Sequence, residues 1–414
     1  MLEFFFDEPA KLSWAMTGPF KDHVGPFARH LIDQGYARAT GRAQLFVVRA
    51  LGIWFATSGL SMGSLTEEAL DGFLAWRREQ GKLHRGNALA ARRFLAHLRA
   101  RGVVPVKTRL ADPSPQEKLE ERYREYLEKE RGLVPATYLG YRRWIRMFLE
   151  ERFGEDALEV GCLAAGDIFE FLLRHAHVGS PGGAKLMVTA LRSFLRFLFQ
   201  RGEIETDLSA SVPTVAHWRL AGVPRYLGDD EVEELLKSCD LSTATGRRDR
   251  AILLLLARLA LRAGEIVALR LEDMHWRDGT ITVRGKGQYH DRLPLPREVG
   301  NAIAAYLRRD RPSCRSRRVF LRRRAPLRGF KGPSTVSTIV RRAIERAGLE
   351  PSEKGAHLLR RTLATSMLGR GATLAEIGQI LRHRSPNSTE IYAKVDIEGL
   401  RSLARPWPVA GGGR

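Results

Sequence analysis

Hydrophobic positions recur at helical spacing through the first half of this chain. In ATYLGYRRWIRMFLEERF, from Ala136, the residues Tyr138, Tyr141, Trp144, Ile145 and Phe148 form one stripe, and Arg142, Arg143 and Arg146 lie off it. This is the pattern of an amphipathic helix that buries its apolar stripe and leaves a basic face outside. The pattern also repeats. ATGRAQLFVVRALGIWFA from Ala39 is similar to the segment from Ala136, an offset of 97. LTEEALDGFL from Leu65 matches LAAGDIFEFL from Leu163, and ARRFLAHLRARG, ending at Gly102, matches LRSFLRFLFQRG, ending at Gly202. Two copies of one helical module are therefore expected, over about residues 20–107 and 115–206,.

Proline-rich stretches separate these parts. Val104–Gln116 carries Pro105, Pro113 and Pro115 and reads as a linker, and Ser209–Leu227 reads as a second, extended crossing,. Beyond it, Asp229, Asp230, Glu231, Glu233 and Glu234 suit the first turns of a helix,. Ala251–Leu261 is apolar except for Arg258, which predicts a central buried helix with Arg262 and Glu265 at its exit. The period then changes to two. Thr280–Val283 and Arg292–Leu295 read as strands of a hairpin around GKGQYHD, with Lys286 between two glycines near the turn,. A helix is expected over Glu298–Arg309. The stretch Arg308–Arg328 then holds ten arginines and one acid, interrupted by Val319, Phe320 and Leu321. Part of that block reads as a phosphate-facing surface. Ser334-Thr335 is expected to cap a helix that runs through Ala347 and ends at Gly348,.

The stretch from Ala356 to Val395 carries the candidate chemistry. His357 and Arg360 stand at i and i+3, one face of a helix,. Thr373 and Glu376 form a capping box ahead of the apolar Leu374, Ile377 and Leu381, and His383 falls just past that stripe,. Ser385-Pro386 starts a further short helix carrying Tyr392,. A phenol is a weak nucleophile at neutral pH and needs a positive site and a proton acceptor. Two imidazoles and a guanidinium could supply both. Each piece alone has an ordinary structural explanation: HxxR as a solvated face, a lone Tyr as packing, Arg262–Glu265 as an ion pair. The ordered set is what carries weight.

Composition narrows the class. The 414 residues exceed one ordinary core, so two or three domains are expected,. A formal charge of +21 and a pI near 10.5 favour a polyanionic partner, with nucleic acid first,. The acids in MLEFFFDEPAKLSW do not suit a signal peptide, and the longest apolar run, Ala251–Ala257, is too short to span a membrane,. Cys162, Cys239 and Cys314 are scattered, without metal-ligand spacing, and no phosphate-binding GxxxxGK[ST] loop occurs,. No cofactor and no metal are expected, and a reducing cytoplasm fits.

In order, the candidate groups are Arg262, Lys286, His357, Arg360, His383 and Tyr392. This set resembles the tyrosine recombinase family, the relatives of phage integrases and Xer recombinases. The matching segments are LALRAGEIVALRLEDM, ITVRGKGQYHDRLPLP, HLLRRTLATSM and LRHRSPNSTEIYAKV, within about Leu227–Leu403, with a looser match over about 115–206. Arg382 departs from the family, which more often has Gly before the second histidine. The resemblance implies a mainly α, multidomain protein: helical core-binding-like modules plus a mixed α/β catalytic domain with a small β-hairpin sheet. Its parts would be residues 1–110, an N-terminal helical module; 114–214, a core-binding DNA-binding domain; and 222–414, the catalytic domain with its tail.

The same resemblance implies a site-specific DNA recombinase or integrase acting on double-stranded DNA without metal or ATP. Tyr392 would form a 3′-phosphotyrosyl link, Arg262 and Arg360 would stabilise the transition state, and Lys286 would protonate the leaving 5′-oxygen. His357 would assist proton transfer at the tyrosine, and His383 would hydrogen-bond the phosphate. Four protomers would assemble, with the apolar Ile397, Leu400 and Leu403 of the tail docking on a neighbour. A type IB topoisomerase-like activity and a catalytically silent DNA-binding regulator are the alternatives. For residues 1–110, extra DNA binding and contact with another protomer are both open.

Overall fold

Four helices build the first module: α1 (Lys21–Asp33), α2 (Arg38–Thr57), α3 (Glu67–Glu79) and α4 (Asn87–Ala100). The computed structural model describes residues 2–7, 17–105, 113–154, 157–178, 180–214, 224–285, 290–395 and 400–401. Thr66 caps α3 by accepting from the Ala69 amide, and acids at its start and arginines at its end oppose the helix dipole,. Phe27, Phe55, Phe73 and Phe94 are fully buried in the module's core.

The second module has the same order: α5 (Pro115–Glu125) passing into a π-turn, α6 (Pro135–Phe153), α7 (Ala165–His175) and α8 (Pro181–Gln200). Both modules end on a glycine in the left-handed region, Gly102 and Gly202, each at φ +69°. The repeat is thus visible in the backbone as well as in the sequence. The expected linker ends earlier than Gln116, because Ser114 and Glu117 form a capping box that starts α5 at Pro115,. On α6, Tyr138, Ile145 and Phe148 are buried, while Tyr141 and Trp144 are only partly covered. Part of its basic face is structural: Arg142 and Arg146 both bind the buried carboxylate of Glu120, at 2.7 and 3.1 Å.

The C-terminal part comprises α9 (Asp229–Lys237), α10 (Ala244–Leu259), α11 (Ala263–Ala268), β1 (Met274–His275), β2 (Thr280–Arg284), β3 (His290–Pro294), α12 (Arg297–Arg309), α13 (Pro333–Arg346), α14 (Ala356–Gly369) and α15 (Leu374–Ile380). Two 3-10 turns follow, Pro386–Ser388 and Glu390–Val395. α10 is the buried centre, with Ile252 to Leu256 fully covered. It stops two residues before the expected Leu261, because Ala260 turns left-handed at φ +46°. The sheet is antiparallel in the order β1-β2-β3, with Ile281 opposite Leu293 and Arg284 opposite His290. It therefore adds one short strand to the expected hairpin, and β3 starts earlier, at His290. α13 is capped by Gly332 with Pro333 first, not by Ser334-Thr335,.

Contacts divide the chain into two compact units, residues 107–221 and residues 1–106 together with 222–414. Within the latter, the arginine-rich loop meets the first module. The Leu327 amide donates to the Gln34 carbonyl at 2.9 Å, and the Leu327 side chain lies over Gly35. Gly35 is at φ +74°, and a Cβ there would fall 2.2 Å from Leu327 Cδ1. Ala325 packs on the first module's core, and Arg315 faces Asp33 at 3.6 Å. The block is less free for phosphate than expected. Arg311 binds the carbonyls of Ser316, Arg318 and Val319, Arg318 binds that of Ala268, and Arg317 binds Glu272. These three fold the loop, whereas Arg323 and Arg324 are exposed. Among the described residues no helix is long and apolar enough to cross a membrane.

Candidate active site

The left-handed stop at Ala260 ends the buried α10 abruptly and sets Arg262 as the residue that caps α11. Glu265 holds it there. Its carboxylate accepts from the Arg262 backbone amide at 2.7 Å and from Nη1 at 2.8 Å. The remaining Nη2 donates to the carbonyl of Arg382 at 3.2 Å, and the side chain stays about one-third exposed, 37%. Arg262 is therefore both an ion-pair partner and a guanidinium open to solvent. The ion pair read from the sequence forms, and part of the guanidinium stays exposed.

Arg360 comes from α14, one turn after His357, and is 4% exposed. Its two terminal nitrogens donate to the carbonyls of Ala260 and Leu381. The residue thus joins the end of α10 to the end of α15. Burial lowers its pKa to about 10, helped by the neighbouring charges of Arg262 and Arg382,. Such mutual repulsion means that the cations share one small region. It still leaves Arg360 charged at neutral pH.

His383 leaves α15 through Arg382, which is itself left-handed at φ +53°. A non-glycine residue there costs on the order of 1 kcal/mol. The His383 Nδ1 lies 2.8 Å from the hydroxyl of the buried Thr389, so the ring's orientation is fixed and Nε2 is left for another partner,. Gly378 makes room: a Cβ there would stand 3.1 Å from Thr389 Oγ1. Burial, then Arg360, Arg262 and Arg382, lower the His383 pKa to about 4. His357 is at the surface, yet the surrounding protein and then Arg360, Arg361 and Arg262 shift it down as well. Such a shift keeps the His383 ring neutral at pH 7, and the His357 shift has the same direction.

Tyr392 is 4% exposed, packed with Ala260, Ala364, Ile377 and Leu381. Burial raises its pKa, and Arg360 and Arg361 act in the opposite direction. The short helix expected after Pro386 is two 3-10 turns, with the Tyr392 amide donating to Thr389 at 3.0 Å. Arg262, His357, Arg360, His383 and Tyr392 are thus brought together around one guanidinium pair. Lys286 lies outside the described residues, between β2 and β3. In the tail, Ile397 and Leu403 also lie outside them, and Leu400 is 46% exposed.

Two site residues had little signal in the sequence. Thr389 is one of many threonines, and only its burial against His383 gives it a task. Arg382 was visible as a departure from glycine, but its partners were not.

A helical body with a small antiparallel sheet, and a site of paired guanidiniums, histidines and a tyrosine, defines a class of fold. Residues 225–398 match the model of the phage integrase family. A putative integrase/recombinase, y4rA of Sinorhizobium fredii, is 41% identical, covering 98% of this chain and 99% of its own. The tyrosine recombinase XerC of Oceanobacillus iheyensis is 30% identical over 70% of this chain and 96% of its own. The crystal structure of XerH bound to a palindromic difH substrate, a post-cleavage complex, matches with TM-score 0.53 at 20% identity, covering 70% of this chain and 84% of that one. The chain belongs to the phage integrase family, the tyrosine recombinases.

Proposed function

We propose that the protein is a site-specific recombinase that cuts and rejoins duplex DNA through a tyrosyl phosphodiester. The observation that carries this is the pair Arg262 and Arg360, anchored to adjacent carbonyls beside His383 and Tyr392. A scissile phosphate bound there meets fixed donors whose charge does not depend on pH near neutrality.

The Tyr392 oxygen attacks phosphorus and yields its proton to His357. The bond to the 5′-oxygen breaks, and Lys286 supplies the proton that the leaving oxygen takes. The products are a 3′-phosphotyrosyl ester and a free 5′-hydroxyl. Charge gathers on the non-bridging oxygens in between, where Arg262, Arg360 and the Nε2 of His383 stabilise it. The ester retains the energy of the broken bond, so attack by a new 5′-hydroxyl reverses the steps without ATP. The guanidiniums supply the charge that a metal ion could otherwise supply, and cleavage is expected to persist in EDTA.

Residues 114–214 would bind the duplex together with the catalytic domain 222–414, and Arg143 is exposed on α6. The first module carries Leu45 and Phe46 where the repeat has Arg142 and Arg143. Leu45 is buried in the module's own core, so the 43%-exposed Phe46 alone favours protein contact over DNA for residues 1–110. A tetramer on DNA with the tail docked on a neighbour follows from the family resemblance.

The test is a nicked suicide substrate incubated with wild-type protein and with Tyr392→Phe. The wild type is expected to give an SDS-resistant adduct. The variant is expected to bind the same DNA in a gel shift and to give none. An adduct with Tyr392→Phe would refute the assignment.

A further inference from the structure

Arg382 occupies a left-handed position that glycine would fill without strain, and it is almost buried, its side chain 8% exposed. Three features set its surroundings. Its Nη2 donates to Glu265 Oε2 at 2.7 Å, the same carboxylate that holds Arg262. Its Nε faces Asp291 Oδ2 at 3.7 Å, an ion pair without a hydrogen bond. Its carbonyl receives the free Nη2 of Arg262. Asp291 is on β3, so it belongs to the hairpin whose connecting segment carries Lys286. His383 is the next residue in the chain.

We propose that Arg382 is a positioning residue that ties the Lys286-bearing hairpin to the guanidinium clamp. Without it Glu265 would lose one of its two arginine partners, and β3 would lose its ion pair to the turn at His383. Arginine suits the position because one planar group presents Nη2 to Glu265 and Nε to Asp291 at once. Glycine would relieve the backbone and lose both contacts. Lysine could satisfy one carboxylate but not both in a fixed geometry. The strained backbone is thus exchanged for a charged link between β3 and the carboxylate that holds Arg262. This inference rests on the proposed role of Lys286 as the acid for the 5′-oxygen.

The test uses full-length protein and two suicide substrates of one sequence. One has the natural 5′-oxygen at the scissile phosphate and the other a 5′-bridging sulfur. A thiolate leaves without needing a proton, so that substrate bypasses the acid. Adduct formation is timed for wild type, Lys286→Ala, Arg382→Gly, Arg382→Lys and Asp291→Asn. Arg382→Gly is expected to slow cleavage of the oxygen substrate about tenfold or more and to recover most of that loss on the sulfur substrate. Lys286→Ala should show the same recovery with a larger initial loss. Asp291→Asn, on the partly covered side of β3, should show a smaller version of it, and Arg382→Lys should lie between wild type and Arg382→Gly. If Lys286→Ala recovers while Arg382→Gly is equally slow on both substrates, Arg382 serves only the clamp or the fold, and the inference fails alone. If Arg382→Gly is not slow, it fails as well. If Lys286→Ala does not recover, the assignment of the acid fails and this inference falls with it.

Discussion

At the scale of single residues, the site is held by groups that never need to touch DNA. Thr389 fixes the His383 ring through Nδ1. Thr389→Val keeps the shape and removes the hydrogen bond, a loss of about 1 kcal/mol, so adduct formation should slow roughly five- to tenfold with little change in DNA affinity. A gel-shift titration beside a cleavage time course would separate the two effects. The histidines also link stability to pH. The His383 pKa is about 4 in the folded protein, against an ordinary 6.5. Between those values the unfolded chain binds a proton that the folded chain does not, so stability falls as pH drops from 6.5 towards 4. The His357 shift has the same sign. Urea unfolding at pH 7.5 and pH 5 should show the loss, and His383→Gln should reduce it.

The elements of the site differ in how plainly the chain announces them. The capping box at Thr373 and Glu376 formed as expected because its partners are three residues apart,. The HxxR of α14 did so because helical spacing is local. Ala260 gave no such warning. Its left-handed turn arises where the buried α10 must give way to α11, a demand of packing rather than of Ala itself. Glu120, Thr389 and Asp291 were equally silent, since each takes its meaning from a partner far along the chain. The last element makes its own prediction. Tyr392 and Arg360 are both 4% exposed, so contact with a phosphate in the proposed reaction is expected to require that the turn Glu390–Val395 open. Hydrogen exchange should show the Tyr392 amide, bonded to Thr389, losing protection when site DNA is added,. Unchanged protection alongside rapid cleavage would exclude that opening.

On the scale of the whole molecule, the two helical modules have different attachments. The first shares a compact unit with residues 222–414, and the second forms its own. Gly35 and Leu327 make the first attachment concrete. Gly35→Ala adds a Cβ at φ +74° and displaces Leu327, so it should cost at least about 1 kcal/mol,. Calorimetry should then show the first module melting earlier, as a separate transition. One transition at the wild-type temperature would mean that the contact contributes nothing. The repetition of helices α1–α4 in α5–α8 was legible in the sequence. The attachment was not legible, because the loop that makes it reads only as a run of arginines.

Gly102 and Gly202 end their modules at the same φ, one hundred positions apart. A shared backbone stop of this kind is what duplication of an ancestral segment would leave behind. A cousin that never acquired the extra copy would have nothing to cover the tip Ala325-Pro326-Leu327. Evolution should have kept that tip short or polar in such a lineage, and an apolar tip there should occur only alongside the additional module.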